Sequence, residues 1–391
     1  MNFEIKDIGK SYKDFVLISV EELKDYKSKG IYLRHKKTGL ELYHVINDDS
    51  ENLFSFNFRT LSKNSKGTAH IMEHSTLCGS EKFPLKEPFS TLENQSLNTF
   101  LNAMTSPEKT MYPAASLVKA DYYNLMDVYS DAVFFPKLTR QTFMQEGWRI
   151  EFDENDKPSI QGVVYNEMKA NYTTFNQIAI KEFFSAIYPD SYMDYDSGGN
   201  PLEIPELTYE EFLDFHKKFY IPSNCLLILY GNIPTKEQID FIDEKLINRL
   251  IDKFGVNEPV DLLSETPILT DEIKTLTKIN RIENSKEVTV YAPDNGTTGN
   301  ITGLCWYCGK TNIEQIFLNE LLAGIDSSPL SKILQESKLG DDEAPISGPF
   351  SYVLDEGIIS YGLSGVKTQN KDKVYVGFAV ARGCNATFSD I

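Results

Sequence analysis

Apolar and polar positions first alternate with a period of two. Residues 31–47, IYLRHKKTGLELYHVIN, read as a hairpin whose turn includes Thr38-Gly39. In LFSFNFRTL, residues 53–61, Phe54, Phe56 and Phe58 fall on one side of a half-buried strand. The period then changes. Gly67 and Thr68 open a helix, with Thr68 as its N-cap and Gly79 placed to end it. Helical spacing continues over 117–133 and over 163–187, the second stretch carrying GVVYNEMKANY. CLLILYGNI, starting at Cys225, is a short apolar run of the buried-strand type.

Around residues 254–267 the pattern lapses into a loop-like stretch with Gly255, Pro259 and Pro267. This predicts a first domain over residues 1–255, a linker over 256–270 and part of a second domain over 271–391. Beyond the linker, VTVYAPDNGTTGNITGLCWYCG reads as strand, turn and strand, with Asp294-Asn295-Gly296 as the hairpin signal. The helical segment NIEQIFLNELLAGI follows. The order strand-then-helix echoes the first domain, so a weak internal repeat is expected. The second copy has no histidine at the corresponding place. The fold class expected is α+β.

Composition adds limits. The chain has 391 residues, 39 basic against 57 acidic, for a net charge of −18. That balance argues against nucleic acid as a partner and would steer cationic peptides toward an acidic cavity. No apolar stretch approaches the roughly 18 residues of a membrane span. The N-terminal sequence lacks the apolar core of a signal peptide, and the expected location is cytoplasmic. The five cysteines, Cys78, Cys225, Cys305, Cys308 and Cys384, are an odd and sparse set that suggests reduced thiols. Cys305 and Cys308 sit three apart among strand formers, so their sulfurs would diverge, and no second such pair completes a zinc ribbon.

The chemistry concentrates in His70-Ile-Met-Glu-His74. On a helix, residues four apart share one face, and two imidazoles there can grip one tetrahedral metal. Glu73 can reach a water beside the metal without binding the metal itself. The order H-x-x-E-H inverts the commoner zinc-protease motif. A catalytic zinc takes three protein ligands and leaves a position open. For the third, the sequence offers Cys78, one turn beyond His74 at the helix end, or Glu167 on a second helix.

HIMEH followed by NEMK resembles the insulinase-type, or M16, metallopeptidases. The segments GTAHIMEHSTLCGSEKFPLKEPF, FLNAMTSPEKTMYP, EGWRIEF, SGGNPLEIPELTYEEFLDFHKKFYIPSN and LYGNI are similar to its presequence-protease branch. The resemblance implies that His70, His74 and Glu167 hold one Zn2+ per chain and that Glu73 is the general base. It implies that residues 100–105 form an edge strand pairing with substrate backbone, with Asn102, Ala103 and Thr105 as the substrate-binding positions. It also implies an endopeptidase that degrades unfolded or short peptides in a closed chamber of four similar α+β domains. Two of those domains belong to a C-terminal half, which becomes an expected partner in the same or a separate chain. The alternatives within the resemblance are a processing peptidase and a non-catalytic assembly subunit. The latter usually lacks the metal motif.

Overall fold

The computed structural model describes residues 3–86, 88–173, 175–256, 261–267, 269–281, 287, 289, 300–310, 312–340, 346–347, 351–353, 356–367 and 369. Grouping by backbone proximity divides the chain into two compact units. One comprises Met1–Thr173 with Phe184–Val288, the other Thr174–Phe183 with Thr289–Ile391.

The first unit is built on a nine-stranded sheet. In chain order its strands are β1 (Ser11–Tyr12), β2 (Phe15–Leu23), β3 (Ser28–His35), β4 (Glu41–Ile46) and β5 (Asn52–Arg59), then β6 (Asn98–Leu101), β7 (Met104–Thr105), β8 (Lys109–Ser116) and, after an excursion through β9 (Arg149–Phe152) and β10 (Pro158–Gln161), β11 (Cys225–Gly231). The spatial order is β1-β2-β3-β4-β11-β5-β8-β6, with β7 also on β8. β11 slots between β4 and β5, parallel to the first and antiparallel to the second. A central strand is apolar because both its edges and one face are covered. Among the described residues β9 and β10 pair only with each other.

The register explains the core. Leu227 lies opposite Leu42 and Phe56, and Leu229 opposite His44 and Phe54. Tyr112 lies opposite Phe56 and Ala114 opposite Phe54. These side chains form one buried face of the sheet. The helix α3 (Lys119–Phe134) crosses it. Its Tyr122 and Tyr129 meet Phe54 edge-on at ring separations of 5.6 and 5.5 Å, and its Phe134 meets Phe58 at 5.4 Å. Edge-on aromatic pairs of this kind add about 0.5–1.5 kcal/mol each beyond the area they bury.

The remaining helices of this unit are α1 (Thr68–Thr76), α2 (Pro88–Gln95), α4 (Arg140–Glu146), α5 (Val163–Asn171), α7 (Tyr209–Phe219), α8 (Thr235–Ile242), α9 (Asn248–Phe254) and α10 (Asp271–Leu276), while α6 (Phe175–Ile187) is divided, most of it grouping with the second unit. α7 starts with a capping box, Thr208 to the Glu211 amide and Glu211 back to the Thr208 amide.

Two local expectations shift. The helical stretch 163–187 is two helices, because Thr173 returns its amide and hydroxyl to the Ala170 carbonyl at 3.1 and 2.6 Å and so closes α5. At α1 the N-cap position belongs to Gly67, in the left-handed region at φ 67°, and Thr68 is already helical.

Residues 261–266 have no regular structure, yet they are held firmly. Arg34, fully buried, pairs with Glu41 at 3.0 Å. Its guanidinium also donates to the carbonyls of Asp261, Leu262, Ser264 and Thr266 at 2.9–3.3 Å. A buried cation this rich in acceptors ties the stretch to β3, since removing it would strand Glu41 and four carbonyls.

In the second unit, β12 (Asn300–Lys310) runs into α11 (Ile313–Ala323) and α12 (Pro329–Glu336). β13 (Ile346–Ser347), β14 (Ser351–Val353) and β12 all pair antiparallel with β15 (Glu356–Val366). Ala323, Leu330, Leu334, Tyr361, Leu363 and Val366 form its core. Asn312 and Gln315 cap α11 reciprocally. Strand followed by helix therefore occurs in both units. The hairpin expected at Asp294-Asn295-Gly296 lies outside the described residues, as do Cys384 and the side chains of Cys305 and Cys308 on β12. The architecture is α+β, as the periodicity indicates.

Candidate metal centre

α1 packs its buried residues Ala69, Ile71, Met72, Ser75 and Thr76 inward. The positions left at the surface of the turn are His70 and His74, whose rings stand 4.9 Å apart at 77°. Both point Nε2 at one carboxylate. Glu167 Oε2 lies 3.6 Å from His70 Nε2 and 4.0 Å from His74 Nε2. One donor atom from each of the three lies within 4.8 Å of the others. Tetrahedral bonds of about 2.0–2.1 Å would set such atoms about 3.3–3.5 Å apart. The set therefore fits a small divalent cation after slight contraction, and its two imidazoles and one carboxylate leave room for a fourth ligand.

Glu167 arrives from α5, whose Val164 and Met168 are buried. The start of α5 touches the end of α4 backbone to backbone: a Cβ at Gly162 would collide with the Gly147 carbonyl oxygen. Cys78, the alternative third ligand, turns away. Its thiol donates to the His74 carbonyl at 3.4 Å and to Glu146 Oε1 at 3.6 Å.

The rings are oriented from behind. His70 Nδ1 is 3.2 Å from the Gly198 carbonyl oxygen. A carbonyl only accepts, so the proton sits on Nδ1 and the Nε2 lone pair faces Glu167. Gly198 is held in turn, because Asp196 Oδ1 accepts from the Gly198 and Gly199 amides at 2.9 and 3.2 Å. This loop crosses α1 at Gly67 so closely that a Cβ on Gly67 would sit 2.8 Å from the Gly198 oxygen, and one on Gly199 would sit 2.8 Å from the Gly67 Cα. His74 Nδ1 is 3.4 Å from Glu146 Oε2. Burial would lower the His74 pKa, but Glu146, with Glu73 and Glu167, holds it above the ordinary value. Burial would raise the Glu146 pKa, but His74 holds it below the usual carboxylate range. Gly198 and Glu146 are missing from the sequence reading. Both fall inside segments quoted for the family resemblance, SGGNP and EGWRIEF, but nothing local gives either residue a role.

Glu73 is buried, with 8% of its surface exposed. It lines a cavity of about 330 Å³ together with His74, Leu77, Cys78, Phe89, Ser90, Asn102 and Ala103. Beneath it, Thr76 donates to the Glu73 carbonyl at 2.9 Å and to the Tyr112 hydroxyl at 3.2 Å, and Tyr112 meets Tyr220 at 2.8 Å. This buried chain fixes the last turn of α1 to β8 and α7.

The expected edge strand 100–105 is interrupted. β6 and β7 flank a break at Asn102 and Ala103. The Asn102 side chain accepts from the Ala103 amide at 2.9 Å and its carbonyl accepts from Tyr129 at 3.3 Å, which uses up backbone geometry a strand would need. Asn102 and Ala103 therefore face the cavity, while Thr105 meets Thr110 at 3.4 Å on β8.

Comparison with known proteins identifies the family. The family model for insulinase, peptidase family M16, matches residues 59–181, and that for the peptidase M16 inactive domain matches residues 206–379. The chain is 39% identical to presequence protease 1, chloroplastic/mitochondrial, of Arabidopsis thaliana over 94% of this chain and 34% of that protein. It is 35% identical to the mitochondrial presequence protease of Drosophila melanogaster over 93% of this chain and 35% of that one. It thus spans about a third of the length of these relatives. A solved structure of a protease from Helicobacter pylori superposes with a TM-score of 0.67 at 16% identity, over 92% of this chain and 81% of that chain, a likeness of fold. Two M16 models in succession, and presequence proteases alike along nearly its whole length, make this chain a presequence-protease-like member of the M16 peptidase family.

Proposed function

We propose that this chain carries the zinc site of an endopeptidase for unstructured peptides, with His70, His74 and Glu167 as ligands and Glu73 as general base. The observation that carries this reading is the convergence of the two Nε2 atoms on Glu167 Oε2, with Glu73 lining the cavity alongside. Zinc held there supplies Lewis acidity, polarising a water and the scissile carbonyl. Glu73 takes the proton of the attacking water as the new C–O bond forms. It then hands the proton to the amine as the C–N bond breaks. Its burial keeps bulk water from competing for that proton.

Substrate selection follows from the sheet edge. Among the described residues β6 pairs on one side only, with β8, so an extended peptide can add there as a further strand. Leu77, Phe89 and Ala103 give the adjoining cavity an apolar lining suited to an uncharged side chain. Folded proteins lack a free extended backbone and are excluded. A C-terminal M16 half completes the chamber in this reading, supported by the fraction of the relatives' length this chain spans. The cytoplasmic location stays part of the proposal. Import into an organelle is the alternative suggested by the relatives' names.

The test is to load the purified chain with zinc and follow cleavage of an unstructured peptide and of a stable folded domain, with and without a supplied C-terminal half. Oxyanion donors are worth about 10²–10³ in rate each. Slow peptide cleavage that rises at least 100-fold with the added half, and no cutting of the folded domain, is expected. Full activity without the other half, or equal cleavage of the folded domain, would overturn the reading.

A further inference from the structure

We infer that Glu146 is a positioning residue for the metal centre, holding His74 through its Nδ1. The inference rests on the metal reading above and extends it to a residue outside the ligand set. Glu146 is the last residue of α4, and only 8% of its side chain is exposed. A carboxylate there is doubly unfavourable, because burial strips its hydration and the carboxyl end of a helix repels negative charge. Such a residue needs a compensating partner, and among the described residues its ion-pair partner is His74.

Both of its oxygens are engaged. Oε2 lies 3.4 Å from His74 Nδ1, while Oε1 accepts from Gln145 at 2.9 Å and from the Cys78 thiol at 3.6 Å. The carboxylate therefore cannot swing freely. The fold also presses it into place: a Cβ on Gly147 would meet the Phe143 carbonyl at 2.8 Å and Ile71 Cγ2 of α1 at 3.2 Å. The end of α4 thus abuts α1 beside His74.

The arrangement matches that of the other ring. His70 gives its Nδ1 proton to the Gly198 carbonyl, and His74 Nδ1 faces Glu146 Oε2 at 3.4 Å, so both present Nε2 to Glu167. A charged acceptor behind an imidazole fixes its tautomer and makes the opposite nitrogen a stronger donor to a cation, an effect worth 10–100-fold in metal affinity. His70 has a neutral partner in Gly198, so the charged share of the support behind the rings comes from Glu146.

The experiment measures zinc dissociation constants by chelator competition for the wild-type chain, Glu146→Gln, Glu146→Asp and Cys78→Ser. Zinc should bind 10–100-fold more weakly to Glu146→Gln, with partial recovery in Glu146→Asp and little change in Cys78→Ser. Long-range proton–nitrogen spectra of the zinc-loaded protein give a readout that mere packing would not move. The His74 Nδ1 proton should lie far downfield in the wild type and move upfield in Glu146→Gln, with that of His70 unmoved. Wild-type zinc binding with a Glu146→Gln constant within twofold, or an unshifted His74 proton, overturns this inference and leaves the metal reading standing. A wild-type chain that binds no zinc removes both.

Discussion

His70 and Gly198 are 128 residues apart, yet the Nδ1 of the first stands 3.2 Å from the carbonyl oxygen of the second. The approach depends on two glycines. Gly67 and Gly199 let two backbones cross where a Cβ on either would intrude, and that crossing sets the tilt of the His70 ring.

Gly199→Ala is the direct probe of the crossing. Gly199 has φ +107° and its Cβ would fall 2.8 Å from both Gly67 Cα and Ile204 Cδ1. The substitution should cost about 1–3 kcal/mol of stability and weaken metal binding as the loop withdraws from His70. Gly255 also has a positive φ, +77°, but nothing within 4 Å, so Gly255→Ala should cost a comparable backbone strain of about 1–3 kcal/mol and leave metal binding unchanged. Denaturant titrations of both variants check this. Unchanged metal affinity in Gly199→Ala, or an equal loss of it in Gly255→Ala, would show that the crossing does not set the ring.

Three other histidines report on folding rather than chemistry. Burial lowers His35, His44 and His216 to about 4 each. Their unfolded value is about 6.5. Between these limits the unfolded chain binds more protons, so their contribution is present above about pH 6.5 and is lost as pH falls toward 4. His74, shifted upward, adds its stability below that value and loses it as pH rises, so it does not offset the loss on the acid side. In chelator, the urea midpoint should fall steeply from pH 6.5 to 5, with uptake of up to three protons on unfolding. His44→Gln should reduce that uptake by about one. A flat midpoint across the window would contradict it.

Much of the first unit is legible in the sequence because its signals are local. Phe54, Phe56 and Phe58 alternate because only one face of β5 meets α3. The apolar run from Cys225 is central because β11 has neighbours on both edges. The spacing of His70 and His74 places two donors on one helical face before any fold is known. Other features depend on distant chain. Gly67 replaces Thr68 as cap because of a loop 130 residues on. The break at Asn102 follows from its contact with Tyr129, and the hold on His74 from Glu146 on another helix. Such features carry no local period. The separate roles of Glu73 and Glu167, two glutamates on two helices, likewise follow from docking and not from spacing.

Those two roles are the core of the account, and zinc stoichiometry measured by elemental analysis of purified Glu73→Gln and Glu167→Gln tests them most directly. An amide is a poor substitute for a carboxylate ligand, whereas removing a base need not disturb the ligands. Glu73→Gln should keep about one zinc per chain, as the wild type does, and Glu167→Gln should lose most of it. Retention of zinc by Glu167→Gln together with its loss from Glu73→Gln would contradict the account.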